Sequence, residues 1–333
     1  METRRLGRTG LEVSLLTFGC GGVGGLMTAG RAADQDRAIA WARDHGINYF
    51  DTAPLYGDGA SELNLGRALG TDRDGIFVST KVRLSEDDRT DAANAIRASL
   101  EASLTRLKQD HVDLFHLHNK VARSTEGGAF TPQKIFDDIT PELIKLRDEG
   151  KTRFFGFTGN GETDALRQLI ESELFDSAQI FYNILVPSAG EAVPASYPGQ
   201  DYRQIIDAAD HHDVGTIGVR VLAGGALSGS ETRHPLSMPT VQPIGSGQDY
   251  ATDVRRAMRF ESLIAAGHST SLPELAIRFA ISKPALSTIE IGTATLDELQ
   301  QAVNAVNKGP LSVDALADIK AIQASLAAEC AGR

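Results

Sequence analysis

Five side chains in this 333-residue sequence carry groups suited to proton transfer: Asp51, Tyr56, Lys81, His116 and His118. Asp51 closes the short apolar run Tyr49-Phe50-Asp51. Tyr56 follows it in the turn Thr52-Ala53-Pro54-Leu55-Tyr56-Gly57. A lysine beside a phenol favours the phenolate and lowers the tyrosine pKa, and an aspartate can hold and orient that lysine. A phenol tuned in this way can give a proton to a carbonyl oxygen that is becoming an alcohol. A histidine can donate a hydrogen bond to the same oxygen. None of these groups donates hydride, so hydride must come from a bound cofactor. Taken singly, each residue has an ordinary reading: a turn aspartate, a surface tyrosine or lysine, a satisfied core histidine. Their meaning depends on whether the fold brings them to one place.

The hydrophobic pattern supplies that fold. Residues 3–13 read as a hairpin turning at Arg8-Thr9-Gly10. Apolar runs at 14–19, 47–52, 76–81, 112–118, 152–158, 178–183, 216–221 and 286–291 then read as eight strands. Helical patterns follow them at about 34–45, 60–69, 91–108, 141–149, 163–172, 201–212, 250–266 with 272–281, and 296–306, with Asp34 as the expected N-cap of the first. A last amphipathic helix is expected over 313–328. Eight strand–helix units predict a single (β/α)8 barrel, classed as α/β, spanning residues 1–333 as one domain. The alternative, an open doubly wound sheet, lacks its Gly-x-Gly-x-x-Gly turn: Gly19–Gly25 has the glycines without that framing. In a parallel barrel the C-terminal strand ends form one rim, where Asp51, Tyr56, Lys81, His116 and His118 would all gather.

Composition narrows the partners. A net charge of −11 argues against nucleic acid or an anionic membrane. The two cysteines, Cys20 and Cys330, build no disulfide framework. With no signal-like N-terminus and no apolar run of spanning length, the sequence reads as cytoplasmic. The oligomeric state stays open.

Over nearly its whole length the sequence resembles the aldo-keto reductases. The likeness rests on the N-terminal hairpin, Phe50-Asp51-Thr52-Ala53-x-x-Tyr56-Gly57, x-x-x-Ser61-Glu62-x-x-x-Gly66, Ser79-Thr80-Lys81 and Val112-Asp113-Leu114-x-x-x-His118. The resemblance implies a catalytic tetrad of Asp51, Tyr56, Lys81 and His118, with the tyrosine as general acid/base. His118 is preferred to His116 by its distance from Asp113. The resemblance also implies a nicotinamide cofactor. Thr158, Gly159, Asn160 and Gln179 would serve its carboxamide, with Asp51, Gly21 and Gly22 close by. Arg220, Val221, Leu222, Gly224 and Ala226 would run under the nicotinamide and pyrophosphate. Gly292, Thr293, Thr295 and Glu298 would meet the adenosine end, where helix N-terminal amides suit a phosphate.

Three departures from the family pattern shape the expectations. Val219 replaces an aromatic that often stacks on the nicotinamide, and Asn119 replaces an aromatic after the histidine. Around Thr295 no Arg or Lys meets a 2′-phosphate, and Asp297-Glu298 lie beside it, so the cofactor expected is NAD or NADP with NAD slightly favoured. Substrate contacts are expected from Val23, Tyr56, Arg83, His118 and Asn119, and polar Arg83 and Asn119 point to an aldose or another polar aldehyde. Two rivals stand beside this reading. One is a metal-dependent hydrolase using His116 and His118, although strands five to eight end in Thr158, Asn183, Val221 and Gly292 rather than in ligands. The other is a non-catalytic nicotinamide-binding sensor or subunit.

Overall fold

The computed structural model describes residues 1–71 and 73–331. Strands β1 (Thr3–Arg5) and β2 (Glu12–Ser14) pair antiparallel as the N-terminal hairpin. Eight parallel strands close a barrel: β3 (Leu16–Gly19), β4 (Tyr49–Asp51), β5 (Phe77–Val82), β6 (Val112–Leu117), β7 (Thr152–Thr158), β8 (Ser177–Phe181), β9 (Gly215–Val219) and β10 (Thr288–Gly292), with β10 returning to β3. This is the barrel that the alternating pattern predicts. Helices cover the outside, and a nineteen-residue helix, Val313–Ala331, ends the described chain. The hairpin seals the N-terminal end of the barrel: Leu6 is fully buried, and Arg4 donates to the Leu286 carbonyl at 2.9 Å.

Boundaries differ where capping chemistry competes with periodicity. The first long helix starts at Ala32, and Asp34 sits in its first turn, bonded to Arg31 and Arg37. An acid there favours the helix dipole without being the cap. The expected helix at 201–212 starts only at Ile205, because Arg203 and Gln204 take positive φ angles. Other starts follow the sequence closely. Asp91 caps Ala92–Leu107 by accepting from the Asn94 amide, and Thr295 caps Leu296–Asn307 by accepting from the Glu298 amide.

Strand period two sorts the barrel residues. On β4 and β5, Phe50, Val78 and Thr80 face the helices, while Tyr49, Asp51, Ser79 and Lys81 face the interior. Register aligns Asp51 with Ser79, Lys81 with His116, and Thr158 with Gln179. The outward face is locked as well. Thr80 donates to Glu62 at 2.5 Å, and Arg106 Nε reaches the other Glu62 oxygen at 2.6 Å. This anchors β5 from behind, immediately beside Lys81.

Candidate active site

Asp51, Lys81 and Tyr56 form one hydrogen-bonded chain. Lys81 is 1% exposed and Asp51 fully buried, and the lysine ammonium is bonded to the Asp51 carboxylate. Lys81 Nζ also donates to the Thr52 carbonyl at 2.9 Å and to the Tyr56 hydroxyl at 3.2 Å, and lies 4.8 Å from the Tyr56 ring centre. Asp51 accepts two further bonds, from Ser79 Oγ at 2.5 Å and Gln179 Nε2 at 3.0 Å. The ammonium therefore has every donor directed, and its position is fixed by β4 and β5 together. The His118 ring stands edge-on to Tyr56, with centres 6.1 Å apart.

The two histidines separate cleanly. His118 lines the cavity above the cluster. His116 is fully buried, and its Nε2 bonds to Ser177 Oγ at 2.9 Å across the barrel. Among the described residues no three His, Cys, Asp or Glu side chains gather as a metal site, so the His-x-His pair has no third ligand. His118→Ala is expected to lower kcat/KM by about a hundredfold, the scale of losing one donor to a developing oxyanion. His116→Ala should leave kcat within several-fold while lowering thermal stability. Steady-state kinetics with melting curves on both variants checks the order.

The electrostatics correct one expectation. Burial pushes the Tyr56 phenol above its ordinary value, and the Lys81 charge only partly offsets this. The tyrosine is thus held as the neutral acid. Burial opposes the charge on Lys81, but Asp51, Tyr56 and Glu290 outweigh it and raise the lysine above its usual value. Burial, then Lys81 and Arg83, push His118 down to about 3, leaving a neutral imidazole.

Above the cluster opens a cavity of about 1330 Å³, larger than a small substrate needs. Its walls include Gly21, Gly22 and Val23 after β3, then Thr158, Asn160 and Gln179 on and after β7 and β8. Arg220, Val221, Leu222 and Gly224 follow from beyond β9, and Gly292, Thr293 and Glu298 from beyond β10. Gly24 is required where it packs on the end of β10: a Cβ there would lie 2.3 Å from the Thr293 amide nitrogen. The segment between Gly229 and Tyr250 crosses this wall. Arg233 donates to the carbonyls of Gly224 at 2.5 Å and Val23 at 3.0 Å, and the Met238 amide donates to Gly22 at 2.8 Å.

Not every expected contact reaches the cavity. Asn119 is turned back: its amide donates to the Leu84 carbonyl at 2.8 Å and accepts from the Leu84 amide at 2.9 Å, satisfying backbone where β5 has ended. That corrects its assignment to substrate. Arg83 is exposed and outside the cavity wall, and only its charge reaches His118. Gly159 lies behind the wall, its amide bonded to the Gln179 carbonyl at 2.6 Å. Ala226 is fully buried and Thr295 is occupied as a helix cap, so neither lines the cavity. Asp51 and Lys81 lie beneath the wall and reach the cavity through Tyr56 and Gln179.

Sequence reasoning passed over Glu290, which enters the barrel from the middle of β10 and accepts from Gln179 Nε2 at 3.1 Å. A signal was present. Ile289 and Ile291 flank a carboxylate in a buried strand, and period two turns Glu290 to the same side as Thr288, inward.

An eight-stranded parallel barrel with an N-terminal hairpin and a buried Asp–Lys–Tyr chain under a large rim cavity defines a class of oxidoreductase. Comparison with known proteins agrees: residues 15–324 match the Aldo/keto reductase family, and the chain belongs to it. It is an NAD(P)-dependent oxidoreductase of that family. The chain is 29% identical over 323 residues to L-galactose dehydrogenase of Arabidopsis thaliana, covering 92% of this chain and 89% of that protein. It is 28% identical over 325 residues to D-threo-aldose 1-dehydrogenase of a Pseudomonas species, covering 88% and 89%. Its fold matches the holo form of an aldo-keto reductase from Bacillus halodurans with a TM-score of 0.71 at 22% identity, over 97% of this chain and 96% of that one. Among the described residues no helix is long and apolar enough to cross a membrane.

Proposed function

We propose that this chain, acting as one barrel domain, interconverts a polar carbonyl compound and its alcohol, with an aldose or hydroxylated aldehyde as substrate. The observation that carries the reading is the Tyr56 hydroxyl, 3.2 Å from a lysine whose charge is locked on Asp51. In the reductive direction Tyr56 gives its proton to the substrate oxygen. Lys81 stabilises the phenolate left behind, and Asp51 holds Lys81 in place. Neutral His118 donates a hydrogen bond to the same oxygen. Both recognised dehydrogenase relatives bear names of sugar-oxidising enzymes, which supports the aldose class. An absorbance assay crossing both nicotinamide cofactors with sugars, polar aldehydes and apolar ketones tests it, and strong preference for apolar ketones would overturn the substrate class.

The residues present suit the cofactor. Thr158 donates to Gln179 Oε1 at 3.2 Å, giving paired polar groups for a carboxamide. Among the described residues Thr293 Oγ1 has no partner; it is buried on the cavity wall beside a twelve-residue helix whose N-terminal amides would suit a phosphate. The bound nicotinamide would supply or accept the hydride. We further propose that NAD serves at least as well as NADP. Glu298 accepts from the Ala294 amide at 2.7 Å, keeping its carboxylate at the rim, and Lys308 is paired to Glu274 at 2.6 Å. A 2′-phosphate would meet acid rather than free cation there. Glu298→Arg is expected to tighten NADP binding about ten- to a hundredfold relative to NAD, the scale of one charge-assisted hydrogen bond. Calorimetric dissociation constants for both cofactors check it, and wild-type NADP binding more than about tenfold tighter than NAD would overturn the preference.

A further inference from the structure

Glu290 has no part in the proton transfer described above, yet it lines the same cavity and shares a donor with the reacting cluster. Gln179 Nε2 lies 3.1 Å from Glu290 Oε2 and 3.0 Å from Asp51 Oδ1, so one amide joins the two carboxylates. Glu290 lies against Gly19, where an added Cβ would come within 3.0 Å of its Oε1. The charged and titratable groups that act on it come from several elements: Asp51 from β4, Lys81 from β5, and Arg220 from beyond β9. Glu290 in turn acts on Tyr49, Tyr56 and Cys20.

Hydride transfer fixes where a nicotinamide ring must react. Its reacting carbon has to lie against a substrate carbon whose oxygen meets Tyr56. Tyr56, Lys81, Asp51, Gln179 and Glu290 are joined by consecutive hydrogen bonds. A ring reacting beside Tyr56 would share the cavity that Glu290 lines. The oxidised ring carries a positive charge and the reduced ring none, while the rest of the dinucleotide is the same in both.

Resting on the cofactor reading given above, we propose that Glu290 sets the relative affinity of the site for oxidised and reduced nicotinamide, its carboxylate stabilising the cationic ring. Burial and the neighbouring Asp51 charge hold the Glu290 carboxyl up at about 8. Near neutral pH it is therefore largely protonated in the free protein. Binding the oxidised form draws the carboxyl down and releases its proton to solvent; binding the reduced form does not. Affinity for the oxidised form consequently rises with pH through this range, and affinity for the reduced form stays flat. Tyr56 and Lys81 are held above their ordinary values and His118 far below its own, so none of them titrates there.

Calorimetry tests this on the full chain, with the oxidised and reduced forms of whichever of NAD and NADP binds more tightly. It is run at about pH 6.5 and about pH 9, in buffers of different ionisation enthalpy to count protons. The wild-type affinity ratio should move roughly tenfold towards the oxidised form across this interval, with proton release at the lower pH. Glu290→Gln keeps an acceptor for Gln179 and should abolish both the shift and the release. The wild-type series needs no variant. A pH-independent wild-type ratio, or proton release equal in Glu290→Gln, would overturn the assignment while leaving the cofactor reading standing. Failure of the wild type to bind either dinucleotide would overturn the cofactor reading and this inference together.

Discussion

Tyr56→Phe is expected to cut kcat by about 10²–10⁴-fold while leaving cofactor dissociation constants and thermal stability nearly unchanged. Among the described residues the hydroxyl makes one hydrogen bond, to Lys81, and Lys81 keeps Asp51 and the Thr52 carbonyl when it is gone. The ammonium stays satisfied, the ring keeps its place beside His118, and only the proton donor is lost. The direction of the phenol's shift adds a pH signature. Because burial raises the Tyr56 phenol above its ordinary value, carbonyl reduction, which needs the neutral acid, should hold its rate through neutral and mildly alkaline pH. Alcohol oxidation, which needs the phenolate, should gain as pH rises. Near-normal turnover in Tyr56→Phe would move the donor role to another group.

The barrel was legible because its signal is repeated: eight apolar runs, each followed by a helical pattern, leave few topologies. The Asp51, Lys81 and Tyr56 cluster was legible for a different reason, since unusual residues at successive strand ends converge once the barrel closes. What strand patterning does not carry is the direction of side chains in loops. Arg83 and Asn119 lie just past the ends of β5 and β6, where period two no longer governs, and Asn119 spends its amide on Leu84 instead of the cavity. The sign of the Tyr56 shift was missed because it is a balance. Lys81 was visible in the sequence, but the burial that outweighs it exists only in the packed site. Arg233 and Met238 lie in a stretch without periodicity, and their bonds to Val23 and Gly22 span more than 200 residues of sequence, as with the Arg233–Val23 separation of 210.

Lys81→Met should damage both stability and turnover, and the two losses can be told apart. Removing the ammonium leaves Asp51 fully buried with, among the described residues, Ser79 and Gln179 as its side-chain donors, and with Glu290 sharing that same Gln179 amide. Breaking one side of a buried ion pair costs about 3–5 kcal/mol, because the remaining charge is uncompensated. Denaturant melts should show that loss. Turnover should fall by a factor comparable to that of Tyr56→Phe, since the phenolate formed on proton transfer would have no cation beside it. Adding Asp51→Asn to Lys81→Met removes the stranded charge, so the double variant should be more stable than Lys81→Met alone while remaining inactive. The cycle then gives a coupling energy between the two positions in stability, with no matching rescue of kcat. Wild-type stability in Lys81→Met would mean that the Asp51 charge is carried by its remaining donors. Recovery of turnover in the double variant would mean that Lys81 serves only to neutralise Asp51, and that the phenol needs no cation of its own.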